Sequence, residues 1–312
     1  PSIKINAGAR ISSFFVPDGV NFGLEPRLNS RFNITPNTAF KLSYTRMYQY
    51  LHLISTSSAS LPTDVWYPTT KRVKPQFSDM IAGGIHKNVK DNLLFVSLEG
   101  YYKWLSRAID FKDGTQLIAN PDLENDFIFG RGWAYGSEVY IEKRKGKTTG
   151  WVGYTLSWTW RQFAEINNGE AFHPRFDRRH DISIVVMHEL SKRISLSATW
   201  VFNSGNFVTL AEGRYIIQDV RLGPRIVPIV DKRSNYQMPD YHRMDVSLIY
   251  KRKPKRGEAD WSFSIYNVYS RANPYFIYYE EQKDAEGNTT GLKSKIASLF
   301  PILPSVTYNF KF

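Results

Sequence analysis

Histidine beside carboxylate is the first pattern in this sequence that could do chemistry. His180 precedes Asp181, and His242 lies between Asp240 and Asp245. An imidazole near a carboxylate can bind a metal or act as a general base. The spacing supports neither role. There is no H-E-x-x-H zinc motif and no G-x-S-x-G nucleophile elbow. Each His stands where a loop re-enters a strand, the setting of a hydrogen-bonded lumen or rim residue. Arg178, Arg179 and Asp181, with Arg243 and Asp245, form a second pattern. They read as paired charges on inward strand faces, either bonding one another or contacting a substrate. Trp66, Tyr67 and Pro68 occupy a long connection, where they could stack on a sugar or ring, or form a packed loop core. Asp284-Ala285-Glu286-Gly287-Asn288 has some look of a calcium loop but lacks the alternating ligands and the closing Glu, so a hairpin turn is expected. The chain has no cysteine, which excludes disulfides, thiolate metal sites and Cys nucleophiles. These residues imply no enzyme, no metal and no cofactor.

What positions such residues is legible in the composition. Aromatic residues make up 15% of the 312, with 19 Tyr, 20 Phe and 8 Trp, yet mean hydropathy is negative. A surface that alternates ring and polar residue gives both values. The net charge of +12 raises nucleic acid as a partner. The basic residues are scattered through strand-like segments and turns with no nucleic-acid-binding motif, which argues against it. No stretch approaches the roughly 18 apolar residues of a spanning helix. The start at Pro1-Ser2-Ile3-Lys4 is no signal peptide and reads as mid-protein sequence. If the chain crosses a membrane it does so as a barrel, with an N-terminal part missing.

Hydrophobic period two runs nearly throughout. In 151–161, Val152, Tyr154, Leu156, Trp158 and Trp160 alternate with Gly153, Thr155, Ser157, Thr159 and Arg161. Segments 24–34, 38–49, 94–104, 194–203, 243–250 and 304–312 repeat the pattern. About twelve strands are predicted, near 3–14, 22–34, 38–50, 77–88, 92–107, 129–144, 150–164, 179–190, 193–204, 241–252, 260–269 and 303–312. Many reach the roughly 9–11 residues of a tilted membrane strand, longer than ordinary soluble strands. Short connections follow residues 34, 88, 144, 190 and 252. Long ones cover 15–21, 51–76, 108–128, 165–178, 205–240 and 270–302. Long and short alternate, so all long loops fall at one end, as in an outer-membrane barrel with tight periplasmic turns. A soluble sandwich has no reason for that asymmetry.

Aromatic residues gather near the outer strand ends, as a lipid-interface belt requires: Tyr101, Tyr102 and Trp104; Trp158, Trp160 and Phe163; Trp200 and Phe202. The final strand carries Tyr308, Phe310 and Phe312 on one edge. That edge resembles the signal by which barrel-assembly machinery recognises outer-membrane proteins.

Seven phrases, in order, resemble TonB-dependent outer-membrane receptors of the Bacteroidetes type. They are Asp64-Val65-Trp66-Tyr67-Pro68, Trp133-Ala134-Tyr135-Gly136-Ser137-Glu138-Val139, Gly150-Trp151-Val152-Gly153-Tyr154-Thr155-Leu156-Ser157-Trp158 and Phe176-Asp177-Arg178-Arg179-His180-Asp181-Ile182-Ser183. The others are Pro239-Asp240-Tyr241-His242-Arg243-Met244-Asp245-Val246-Ser247, Tyr266-Asn267-Val268-Tyr269-Ser270-Arg271-Ala272-Asn273-Pro274 and Leu299-Phe300-Pro301-Ile302-Leu303-Pro304-Ser305. The resemblance implies an all-β transmembrane antiparallel β-barrel. Residues 1–312 would be a single domain supplying about the last twelve of its roughly 22 strands. The plug and early strands would lie outside this chain. It implies a Gram-negative cell outer membrane and energy-coupled uptake of a bulky nutrient. The implied partners are membrane lipid, a TonB-type complex reached through an N-terminal region, and a surface lipoprotein. It also makes a plug a candidate contact for Arg178, Arg179 and Arg243. Two alternatives stand beside it: a self-contained twelve-stranded pore or translocator, and a receptor-fold protein with a structural or adhesive role.

Overall fold

The computed structural model describes residues 2–17, 19–55, 64–115, 117, 120–219, 223–254, 257–283, 285 and 289–312. In chain order the strands begin β1 (Ile3–Val16), β2 (Gly19–Thr35), β3 (Thr38–Gln49), β4 (Leu51–Ser55), β5 (Asp64–Pro68), β6 (Gln76–Val89) and β7 (Leu94–Phe111). Next come β8 (Phe127–Lys143), β9 (Thr148–Gln162), β10 (His180–Glu189), β11 (Ile194–Asn203), β12 (Phe207–Val208), β13 (Gly213–Asp219) and β14 (Gly223–Ile229). The last are β15 (Tyr236–Gln237), β16 (Tyr241–Arg252), β17 (Glu258–Tyr266), β18 (Pro274–Lys283), β19 (Thr289–Ser298) and β20 (Leu303–Lys311). Among the described residues no helix is long and apolar enough to cross a membrane, which says nothing of strands.

Twelve strands form one antiparallel sheet in the order β1-β2-β3-β6-β7-β8-β9-β10-β11-β16-β17-β20. Every predicted segment has its strand there, with ends shifted by a few residues. One connection differs: 15–21, expected as a long loop, is a tight turn closed by the pair Val16↔Gly19. Phe14, Phe15, Val16, Val20 and Phe22 favour continued pairing. Pro17, which lacks an N–H, ends the ladder where no donor is needed. The other long connections are not structureless. They carry the hairpins β4–β5, β13–β14 and β18–β19 and the short pair β12–β15.

Register separates the two faces, because directly paired residues share a side of the sheet. One unbroken row runs Lys4, Arg31, Lys41, Gly84, Glu99, Glu138, Thr155, Asp181, Asn203 across nine strands. One residue away, on the opposite face, runs Ile3, Phe32, Phe40, Ile85, Leu98, Val139, Tyr154, Ile182, Phe202. The first face is charged and polar, and the second apolar. Gly84 lets the polar row cross β6, since a Cβ there would lie 2.7 Å from the Leu98 carbonyl oxygen and 2.6 Å from Glu99 Cγ.

The apolar face is uncovered. Ile5, Leu28, Leu42, Ile85, Leu98, Val152, Phe263 and Val306 are all exposed. The buried apolar clusters lie instead among the long connections and the strand ends that carry them. One joins Ile54, Val73, Phe111, Leu117, Leu123 and Phe127; another Ala108, Ile128, Phe163, Ile166 and Phe172; a third Val208, Met238 and Ile277. Phe163 therefore belongs to a loop core and not to the aromatic belt. Tyr101 also leaves the belt, because it pairs with Ala82 and Gly136 on the polar face. The belt that remains is stacked: Tyr102 on Tyr135 at 5.9 Å, Tyr135 on Trp158 at 5.2 Å and Trp133 on Trp160 at 6.3 Å. Among the described residues β1 and β20 each pair on one side only.

Candidate functional site

The long connections close over one another at one end of the sheet, the end that also holds the β1–β2 turn. Between them lies a cavity of about 240 Å³ lined by Asp110, Arg161, Phe172, Arg175, Phe176 and Arg233, among others. Its residues come from strand ends and from loops far apart in sequence. Arg233 joins them. Its guanidinium donates to Asp110 Oδ1 at 2.6 Å and to the Phe111 carbonyl at 2.9 Å, also reaches Asp113, and lies 4.9 Å from the centre of the Phe111 ring. Its backbone N–H donates to Asn167 Oδ1 at 2.8 Å. One residue thus ties connection 204–240 to those at 112–126 and 163–179. Arg175 pairs with Asp64 at 3.3 Å, and Arg161 donates to the Trp160 carbonyl at 3.4 Å. Three guanidiniums line the cavity beside the rings of Phe172 and Phe176, but two are already paired, Arg233 with Asp110 and Asp113 and Arg175 with Asp64, which leaves Arg161 to meet an anionic group next to the rings.

The predicted residues divide. Trp66 is 64% exposed on the β4–β5 hairpin and is free to stack. Its neighbour Tyr67 packs edge-on against Phe127 at 4.7 Å, and its hydroxyl donates to Glu124 at 3.2 Å. Burial and the Glu124 charge push that hydroxyl's pKa up. Arg178 is exposed, and its carbonyl accepts from Ser157 Oγ at 3.0 Å. Arg179 is engaged by the Ser157 carbonyl at 2.9 Å, Asp177 at 3.4 Å and the face of Trp158 at 4.5 Å. Arg243 bonds Asp245, Tyr241 and Tyr266, the last at 2.6 Å, and lies 4.0 Å over the Tyr266 ring. Arg179 and Arg243 hold their strand ends and do not meet. The two His residues sit at the rim on the apolar side, each on a Tyr hydroxyl: His180 with Tyr154 at 3.0 Å and His242 with Tyr269 at 2.8 Å. Among the described residues no group of three or more His, Cys, Asp or Glu could hold a metal. Glu286, Gly287 and Asn288 lie outside the described residues. In β20, Tyr308 packs on Trp261 at 4.8 Å and Phe310 on Phe312 at 5.6 Å.

Sequence reading missed the Asp110–Arg233 lock, because its partners are 123 positions apart. It also missed His52, which has no exposed surface. Gln76 Nε2 lies 2.8 Å from His52 Nδ1 and donates to it, so the ring proton sits on Nε2, which finds no partner. Burial lowers its pKa to about 4, from an ordinary 6.5. An unfolded hairpin therefore takes up a proton that the docked one refuses. This contribution to docking is fully present above pH ~6.5 and declines as pH falls toward ~4, by roughly 2 kcal/mol at pH 5. Amide exchange across Leu51–Ser55 should quicken between pH 7 and pH 5 after correction for intrinsic rates. His52→Leu should remove that dependence, and an unchanged pH profile in the variant would refute it.

No family model matches the sequence, and no curated protein sequence matches it. Solved structures do. The pyoverdine outer membrane receptor FpvA from Pseudomonas aeruginosa superposes with a TM-score of 0.63 at 12% identity, covering 100% of this chain and 40% of that one. The ferric-catecholate import receptor Fiu from Escherichia coli K12 gives 0.56 at 14%, covering 94% and 36%. The FrpB iron transporter from Neisseria meningitidis gives 0.57 at 13%, covering 100% and 43%. The shared fold is the barrel portion of TonB-dependent receptors. This chain spans well under half the length of those it matches.

Proposed function

We propose that this chain is part of the barrel wall and capture surface of an outer-membrane receptor for energy-coupled uptake of a bulky nutrient. The observation that carries the reading is the separation of an uncovered apolar face from a continuous charged and polar row across nine strands. An apolar face of that extent needs lipid as its solvent, and the charged face needs a watery or protein-filled lumen. The cavity supports capture of an anionic, partly aromatic solute, a class that includes the ferric chelates named for the solved neighbours. The single-sided pairing of β1 and β20 favours further strands over a self-contained pore. On this reading a TonB-type complex acts through an N-terminal region, the Tyr308–Phe310–Phe312 edge addresses the assembly machinery, and a surface lipoprotein could cover the loops. The sequence phrases favour a receptor of the Bacteroidetes type.

Sidedness is tested with single Cys substitutions in intact cells. Glu212→Cys, in a long connection, should react with an impermeant maleimide, and Lys147→Cys, in a tight turn, only after lysis. The reverse pattern would overturn the orientation. Coupling is tested by cellular accumulation of iron supplied as a ferric catecholate. Accumulation dependent on this protein should stop when the proton gradient is collapsed, while surface binding persists. Accumulation indifferent to the gradient would leave a passive pore.

A further inference from the structure

We infer that the tight-turn end of β10, β11, β16, β17 and β20 holds an anionic phospholipid, with its acyl chains in an apolar trough and its phosphate beside Arg252 and Lys192; this rests on the membrane reading above. The trough opens on the apolar face between the side chains of Val186, Leu196, Ala198, Leu248, Phe263 and Val306. Strand register orders the side chains between the trough and the turns. Leu196, Leu248, Phe263 and Val306 form one row, and Ile194, Tyr250, Trp261 and Tyr308 form the next toward the turns. Tyr and Trp at that height are the side chains that settle at a headgroup boundary. Arg252 follows Tyr250 on the same face, about 7 Å further along the strand. On the neighbouring turn Lys192 stands beside it, next to Arg193, whose carbonyl accepts from the Lys251 N–H at 2.8 Å. Arg252 and Lys192 are exposed, and neither forms an ion pair among the described residues. Lys251, one residue along, lies on the polar face opposite Asp260.

The nearby carboxylates lie on the other face and do not neutralise this pair. Asp260, opposite Lys251, accepts from Asn309 at 2.9 Å; Glu258 is opposite Lys311 and Glu189 opposite Ser195. Acyl trough, aromatic row and cations thus succeed one another in the sequence of zones that a phospholipid presents. Other tight turns lack the combination. Residues 36–37 carry no charge. At the turns after β6 and β8 the last apolar-face rows are Val96, Ile141, Val152 and Leu94, Lys143, Gly150, with no Tyr or Trp among them. A zwitterionic headgroup would gain less than an anionic one from Arg252 and Lys192, which have no carboxylate on their side among the described residues. Each Lys or Arg near an anionic surface favours it about fivefold.

The test uses the full-length protein in vesicles of phosphatidylethanolamine with one-fifth phosphatidylglycerol, extracted gently and weighed by native mass spectrometry. The wild type should retain phosphatidylglycerol well above its bulk share. Lys192→Gln/Arg252→Gln should lower that enrichment roughly tenfold. Ala198→Phe, which fills the trough without changing charge, should lower retention of both lipids. Heat-modifiable migration checks that each variant is folded. Folded protein without enrichment, or a double variant as enriched as wild type, overturns the lipid site alone and leaves the cations to an acidic periplasmic protein. Failure of the wild type to enter vesicles of either composition overturns the membrane reading and this site with it.

Discussion

Leu98→Arg is expected to destabilise the membrane-inserted sheet by about 2–4 kcal/mol, the cost of a guanidinium facing hydrocarbon near mid-membrane. Leu98 is 55% exposed on the apolar face. It lies midway between the turn end of β7 and the belt formed by Tyr102 and Trp104. The contrast lies on the other face at almost the same height. Thr155 is one residue from Tyr154, which belongs to the Leu98 row, yet it pairs with Glu138 and Asp181. Thr155→Arg should be close to neutral, since it adds a cation beside two carboxylates. Leu156→Arg, two residues from Trp158 and so near the interface, should fall toward the low end of the range. Urea unfolding midpoints in lipid vesicles, read by heat-modifiable migration, give the comparison. Equal losses from Leu98→Arg and Thr155→Arg would destroy the face assignment. Two neutral results would remove lipid as the solvent of the apolar face.

Arg233→Met is expected to release connection 204–240 from its neighbours, with a local cost of about 3–5 kcal/mol, typical of removing one partner from a buried ion pair. Arg233 is 8% exposed. Without it, among the described residues, Asp110 keeps the Phe111 N–H, donated at 2.8 Å. Desolvation, and not the loss of a surface pair, makes the effect large. In intact cells the loop should become protease-sensitive, and amide protection across 231–238 should fall by orders of magnitude while the wall strands stay protected. Asp110→Leu in the Arg233→Met background should restore part of the protection by removing the stranded charge. Unchanged protection in Arg233→Met would show that the connections dock without this lock.

The sequence by itself determined the wall. Period-two alternation is a local property: once Val152, Tyr154 and Leu156 alternate with Gly153, Thr155 and Ser157, any extended backbone places them on opposite faces. Twelve such segments with alternating short and long connections leave an antiparallel meander as the simple solution, and the sheet order follows the chain wherever no loop hairpin intervenes. The tertiary structure decided everything that depends on which distant residues meet. Phe163 reads as one more belt ring until Ala108, Ile128 and Phe172 enclose it. Tyr67 and Trp66 are adjacent and equally suited to stacking, but only Tyr67 finds Phe127 and Glu124. Arg179 and Arg243 look available in the sequence and are saturated by Asp177, Trp158, Asp245 and Tyr266. Arg233, in a loop with no periodicity, joins three connections. A strand's faces are fixed by its own backbone geometry. A loop's contacts are fixed only when desolvation and packing select one arrangement among many of similar local energy, and that selection is written in no single segment.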